Sequence, residues 1–490
     1  MRSTTKSRSA AAGAALAAVL TVSPPVHADT ASSPAWHSAA SSPAWHACPG
    51  DGVPQGMRCA TIDVPVDWSR PGGMKVTLDL ARFPAADPAR RLGSVLTVPG
   101  GPGQSGVEVF EQFSGSFTGL RERFDVIAYS PRNSEARRDL PPSCSRPALA
   151  AVTDPRDGAE YRAQAAVLAT AVERCRADDG TGLVEHMDSL SVARDMEAIR
   201  VLLGEDTLSL LAWSYGGIPA TAYARLYPER VRAMVVDGTL DQPGGPYALD
   251  RRGLSTVEAG FTRFVAWCAG DEKCALHGRD VRSVWRRLVE DTRRHPVVHT
   301  SPELGTIKLT DMHLKVFGGA AMSFPGGRPG LADAISKAAK GDLSWFGDQA
   351  LHNAQGWTMP GAMAARCPDA LGYQGYSGFV RGRRHAERIS ADFGGSSSWE
   401  SLVCSGWRLP IANPPRPLPV KGLPPVLGLG SQSDSASTGD LVRRIPGSVT
   451  VRYDGPGHVM YLAGNRCMTG HADRYLAELE LPPPGTVCPA

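Results

Sequence analysis

Three polar side chains and one glycine cluster in this chain have the types and order needed to break an acyl bond. Ser214 stands in L-S-L-L-A-W-S-Y-G-G-I-P (208–219), where an apolar run ends at Trp213 and two glycines follow Tyr215. That order predicts a strand, a sharp turn and a helix, with the serine at the apex and its Oγ lifted clear of the sheet. Small residues at Ala212 and Gly216 suit the close approach of the two backbones. The amides opening the helix would then face any oxyanion formed at the serine. A buried serine in an ordinary strand-to-helix turn is the competing reading of this fragment alone.

A serine becomes nucleophilic only with a base in reach and a third group to orient that base. Of twelve histidines, His458 fits best. It ends D-G-P-G-H, a tight loop just after an expected strand near the C-terminus. The acid is expected on the loop after the preceding strand, which points to Asp434 in G-S-Q-S-D-S-A-S-T (430–438). Asp237, ending the strand after the serine's helix, is the rival. Asp440 falls at the start of the next helix, and Asp454 is too near His458 in sequence to orient it. The cluster P-G-G-P-G-Q-S-G (99–106) lets backbone amides turn toward an anion. It lacks the Lys-Ser/Thr ending of a phosphate loop and the spacing of a dinucleotide site. Beside Ser214 it is expected to give one oxyanion amide from Gly101, with Tyr215 giving the other.

The elements that must position these groups alternate. Strands are expected at 59–66, 76–83, 94–98, 124–129, 208–213 and 231–237, with a helix over 191–203 capped by Ser191. This alternation predicts an α/β fold with a mostly parallel sheet and helices on both faces. Residues 247–414 carry helical patterns, many glycines and few strand signals, and are expected to form a largely helical lid inserted between the sixth and seventh strands. Strands at 426–429 and 449–453 and a helix over 468–479 then complete the core. The expected domains are core over 45–246, lid over 247–414 and core again over 415–490.

Composition narrows the setting. The chain has 490 residues, 42% hydrophobic and 21% charged, with a formal net charge of +3. That charge argues against a dedicated nucleic-acid binder. Arg2, Lys6 and Arg8, the apolar stretch 10–22 and Val26-His27-Ala28 read as a secretory signal cleaved after Ala28. Residues 29–44, including one copy of the repeated S-S-P-A-W-H and part of the next, read as a flexible leader. No later stretch is apolar and long enough for a membrane helix. Ten cysteines in an exported chain predict disulfides, with sequence neighbours pairing and Cys467–Cys488 the firmest pair. Zinc is the rival, but no C-x-x-C or H-x-x-x-H partner lies near them.

The stretches V-P-G-G-P-G-Q-S-G, F-D-V-I-A-Y-S-P-R-N, L-S-L-L-A-W-S-Y-G-G, P-E-R-V-R-A-M-V-V-D-G-T-L-D and D-G-P-G-H-V-M-Y together resemble the secreted tripeptidyl aminopeptidases of actinomycetes, over about residues 45–488. These serine peptidases are grouped with prolyl aminopeptidases. The resemblance implies an α/β-hydrolase fold, a triad of Ser214, His458 and an acid, and no metal or cofactor. It implies short peptides with free N-termini as substrates. Three positions depart from the family pattern. Ala212 replaces a glycine, S-P-R-N (130–133) stands where Asp-Pro-Arg-Gly is usual, and D-S-A-S-T replaces Asp-Pro-x-Thr-Pro around the acid. An aminopeptidase also needs a carboxylate for the substrate's ammonium, and Glu108, Glu111 and Glu387 are candidates. A secreted carboxylesterase or lipase-like hydrolase would share the same motifs without that carboxylate, and a binding protein with a dead site would lack a triad member.

Overall fold

The computed structural model describes residues 43–135, 140–144, 152–324, 326–356, 360–396, 398–419 and 421–490. The expected signal segment 1–28 and nearly all of the leader 29–44 lie outside them. Twelve strands occur among the described residues: β1 (His46–Ala47), β2 (Arg58–Pro65), β3 (Lys75–Phe83), β4 (Ser94–Val98), β5 (Asp125–Tyr129), β6 (Leu208–Trp213), β7 (Val231–Asp237), β8 (Val297–Ser301), β9 (Gly305–Leu309), β10 (Leu427–Gly430), β11 (Val449–Tyr453) and β12 (Val487–Cys488). Ten of them form one sheet in the order β1-β2-β3-β5-β4-β6-β7-β10-β11-β12. From β5 to β12 every neighbour is parallel, and β1 to β3 add an antiparallel edge. The residue pattern accounts for the division. Strands β4, β5 and β6 are continuously buried, as strands covered on both faces must be, whereas β3 alternates exposed and buried residues along its first half.

Helices cover both faces, as the alternation predicts. On one side lie α1 (Gly106–Phe113) and, at the C-terminal end of the chain, a helix over Arg466–Glu478, burying Phe110, Met468 and Leu476 against the sheet. On the other lie α3 (Ser189–Leu202) and α4 (Gly217–Leu226), contributing Met196, Ile199, Ala220 and Tyr223. Between α1 and α3 in sequence runs α2 (Gly158–Asp178), which the sequence pattern did not predict. Its apolar residues are diluted by alanine and arginine, and Asp157 starts it by accepting from the amides of Ala159 and Glu160. The expected cap of α3 also moves. Asp188, not Ser191, accepts from the amides of Leu190 and Ser191, both at 2.9 Å, and starts the helix earlier.

The described residues between β7 and β10 form seven α-helices: α5 (Gly245–Gly270), α6 (Val281–Arg294), α7 (Asp311–Ala321), α8 (Gly327–Ala338), α9 (Ser344–Gly356), α10 (Gly375–Ile389) and α11 (Ser398–Val403). They close around a core of their own that includes Phe261, Trp285, Ile335 and Phe346. The antiparallel hairpin β8–β9 is also here, unforeseen because only Ile307 and Leu309 are buried among its ten residues. After β10 come α12 (Ser435–Val442) and the last helix, α13 (Arg466–Glu478).

All ten cysteines pair with their sequence neighbours: Cys48–Cys59, Cys144–Cys175, Cys268–Cys274, Cys367–Cys404 and Cys467–Cys488. The last ties α13 to the edge strand β12 across a separation of 21 residues. A loop of that length removes about 3 kcal/mol of freedom from the unfolded chain. The double variant C467S/C488S is therefore expected to unfold at a clearly lower urea concentration, and an unchanged midpoint would contradict the assigned role.

Candidate active site

Strand β4 lies between β5 and β6, so its outgoing connection and the later entry into β6 run to opposite sides. A crevice opens at such a switch point, beyond the carboxyl ends of the strands. The glycine cluster leaves β4 here and Ser214 leaves β6. The turn at the serine is sharp: Ser214 has φ of 53°, in the left-handed region that costs a side chain energy, and the helical turn begins at once. Its surroundings hold it there. Thr239 Oγ1 donates to the Ser214 carbonyl at 2.9 Å. A Cβ on Gly100 would lie 2.8 Å from that of Ser214, and one on Gly216 would lie 2.2 Å from the Val98 carbonyl, so only glycine fits at either place.

The structure brings Ser214, His458 and Asp434 into one line. His458 Nε2 lies 2.9 Å from Ser214 Oγ, and its Nδ1 lies 2.7 Å from Asp434 Oδ2. With the Nδ1 proton given to Asp434, Nε2 is free to accept from the serine hydroxyl. Asp434 is itself fixed, since its Oδ1 accepts from the Ser431 amide at 2.6 Å and from Ser431 Oγ at 3.1 Å. Burial alone would lower the His458 pKa, but the Asp434 hydrogen bond and charge, helped by Asp237, raise it above its ordinary value. No hydrogen bond joins the rival acid Asp237 to His458 among the described residues. Asp237 is fully buried and accepts instead from the Tyr461 amide at 2.7 Å.

The glycine cluster reaches the same place. Gly101 lies on the wall of a cavity of about 630 Å³ that also includes Ser214 and His458. Gln104 ties this loop to the serine strand, accepting from Trp213 Nε1 at 2.9 Å and from the Gly100 amide at 3.3 Å. Tyr215 is the residue after the serine, in the first turn of a helix, where amides have no acceptor within the helix. Its phenol is anchored to the segment after α9, donating to the Ala365 carbonyl at 3.0 Å and to Asp369. Buried Asp369, its pKa pushed up to about 7 chiefly by burial, also takes bonds from Ser189 and Asn413. From the same segment Arg366 donates to the Gly101 carbonyl at 3.3 Å and pairs with Glu400.

The acids expected to meet a substrate ammonium are elsewhere. Glu108 and Glu111 are exposed on α1, and Glu387 is exposed and pairs with Arg383 at 3.2 Å. The carboxyl in the cavity wall belongs to Glu135. It follows the S-P-R-N loop, which is pinned by wholly buried Arg132 through two bonds to Asp195 and others to the carbonyls of Pro65 and Val66. The Glu135 amide donates to the Gly103 carbonyl at 2.8 Å. A Cβ on Gly361 would come 2.2 Å from its Oε1 and one on Gly103 2.6 Å from its Cγ, so two glycines make its room. The available signal was an acid just beyond a strand's carboxyl end, on the loop that departs from the family pattern. Phe113, Phe324 and Leu462 give the cavity its apolar side.

Comparison with known proteins shows what the chain is similar to. A family model described as alpha/beta hydrolase fold matches residues 93–296, and one described as TAP-like protein matches 390–488. The chain is 27% identical to serine protease Hip1 of Mycobacterium tuberculosis over 474 residues, covering 89% of this chain and 88% of that protein. It is 27% identical to the tripeptidyl aminopeptidase of Streptomyces lividans over 449 residues, covering 86% and 82%. It is 26% identical to carboxylesterase B of Mycobacterium tuberculosis over 471 residues, covering 88% and 86%. The chain is thus similar over most of its length to tripeptidyl-aminopeptidase-like proteins of the α/β-hydrolase fold, and these likenesses support a serine peptidase of that type.

Proposed function

We propose that the protein is a secreted exopeptidase that releases short peptides, tripeptides by resemblance, from free N-termini through an acyl-enzyme on Ser214. The observation that carries this reading is the hydrogen-bonded line from Asp434 through His458 to the Ser214 hydroxyl. In the proposed cycle Ser214 Oγ attacks the scissile carbonyl while His458 Nε2 takes its proton. Asp434 holds the ring and stabilises the imidazolium. The amides of Gly101 and Tyr215 hold the oxyanion of the tetrahedral intermediate. His458 then gives the proton to the leaving amine, and a water activated by the same nitrogen hydrolyses the ester. The five disulfides and the signal-like first 28 residues support export. No described helix is long and apolar enough to cross a membrane.

Glu135 is proposed as the partner of the substrate's α-ammonium. It is the carboxyl in the wall shared with Ser214, and a cation leaving water for an apolar-sided cavity needs such a partner. The likeness to carboxylesterase B supports a second reading, an esterase, in which this pairing would be irrelevant.

S214A is expected to cost a factor on the order of 10⁴ or more in kcat while the fold persists. Because His458 must be neutral to accept the proton, kcat/KM should fall on acidification through a pKa above the ordinary histidine value, about 6.5. Acetylating the N-terminus of a good peptide substrate should cost about 10²-fold in kcat/KM. E135Q should narrow the gap between free and acetylated peptides. Equal cleavage of both by the unaltered enzyme, with faster turnover of simple acyl esters, would favour the esterase reading.

A further inference from the structure

Asp237 is not used by the proposed mechanism, yet it occupies the middle of it. Strands β6, β7 and β10 are neighbours, and in register Trp213 and Leu429 both pair with Asp237. Their carboxyl ends therefore deliver Ser214, Asp237 and the Asp434 loop side by side. A Cβ on Gly238, the next residue, would lie 2.7 Å from Asp434 Oδ2 and 3.0 Å from His458 Nδ1. The Asp237 side chain is completely buried. Its Oδ2 accepts from the Tyr461 amide at 2.7 Å, on the turn just after His458, and the Met460 amide acts on it as well. Its Oδ1 has no hydrogen-bond partner among the described residues. A carboxyl group buried with one oxygen unsatisfied is costly, and costlier still beside a second carboxylate.

We infer that Asp237 is a positioning residue for His458: it holds the 458–461 turn through backbone amides and, when ionised, places a second negative charge beneath the imidazole. The inference rests on His458 being the base. The charged groups that act on Asp237 are Asp434, which disfavours its ionised form, and His458, which favours it. Burial is the largest influence and lifts its pKa to about 7. Ionised Asp237 favours the protonated imidazole, in keeping with the raised His458 pKa. Protonation of Asp237 withdraws that support.

Removing the Asp237 charge can only make the imidazolium easier to deprotonate, so the base stays competent to lower pH. D237N keeps a carbonyl oxygen for the Tyr461 and Met460 amides and removes the charge. Its acidic limb of kcat/KM should move down by about half a unit to one unit. Plateau kcat should fall by less than about tenfold, because the turn remains anchored. D237A removes the anchor too, and should lose a further factor of about ten or more in kcat with little change in KM. D434N, as the control, should lose on the order of 10³- to 10⁴-fold.

An acidic limb in D237N that coincides with that of the unaltered enzyme, with D434N still severely impaired, would overturn this inference and leave the proposed triad standing. A D237N loss of three orders of magnitude with D434N nearly silent would overturn both, since Asp237 would then be the triad acid. Should D237A fail to fold, the D237N profile alone decides.

Discussion

The contact on which the site depends is the 2.9 Å approach of His458 Nε2 to Ser214 Oγ, between residues 244 positions apart. A hydrogen bond of this kind weakens steeply with a few tenths of an ångström or a modest tilt. Ser214 and His458 leave different regions of the chain, and seven α-helices of the described residues lie between β7 and β10, separating them in sequence. The sheet solves this. Parallel pairing of β6, β7, β10 and β11 fixes the heights of their carboxyl ends, and the loops carrying serine, both aspartates and histidine all leave from that edge. What remains is to stop the loops from drifting. Thr239 holds the Ser214 carbonyl, Ser431 holds Asp434, and Asp237 holds the turn beyond His458.

The helical region between β7 and β10 is tied to this arrangement at two points. Tyr215, whose amide is proposed to face the oxyanion, is fixed through its phenol to the segment containing Ala365 and Asp369. Gly101, the other proposed donor, has its carbonyl held by Arg366 of the same segment. The Cys367–Cys404 bridge braces that segment from behind. Both proposed oxyanion donors are thus referenced to one short stretch between β7 and β10.

Much of this could be read in the residues. The strand–serine–helix pattern around Ser214 is local: glycines are demanded wherever a Cβ would strike Val98 or Ser214, and that demand is visible as G-G after the serine and before Pro102. His458 and Asp434 followed from strand order, because loops at one sheet edge must meet. Adjacent cysteine pairing needed only short separations. The failures have physical causes. Glu108, Glu111 and Glu387 do not line the cavity; Glu135 does, on the loop where buried Arg132 bonds to Asp195 and the Val66 carbonyl, a tertiary arrangement absent from local pattern. The hairpin β8–β9 buries too little to show an alternating signal. Asp237 registered only as an alternative acid, since nothing in sequence says which of two neighbouring strand-end carboxyls points at the imidazole.

The central claim is that Ser214, strained at its turn and hydrogen-bonded to His458, is the one activated nucleophile of this protein. Treatment of the native enzyme with a fluorophosphonate, followed by intact-mass and peptide-mass analysis, tests it most directly. The account predicts a single adduct per chain, located on Ser214, whose formation stops the turnover of peptide substrates and is abolished in H458A. An adduct on a different residue, or full peptidase activity in a quantitatively labelled protein, would contradict it.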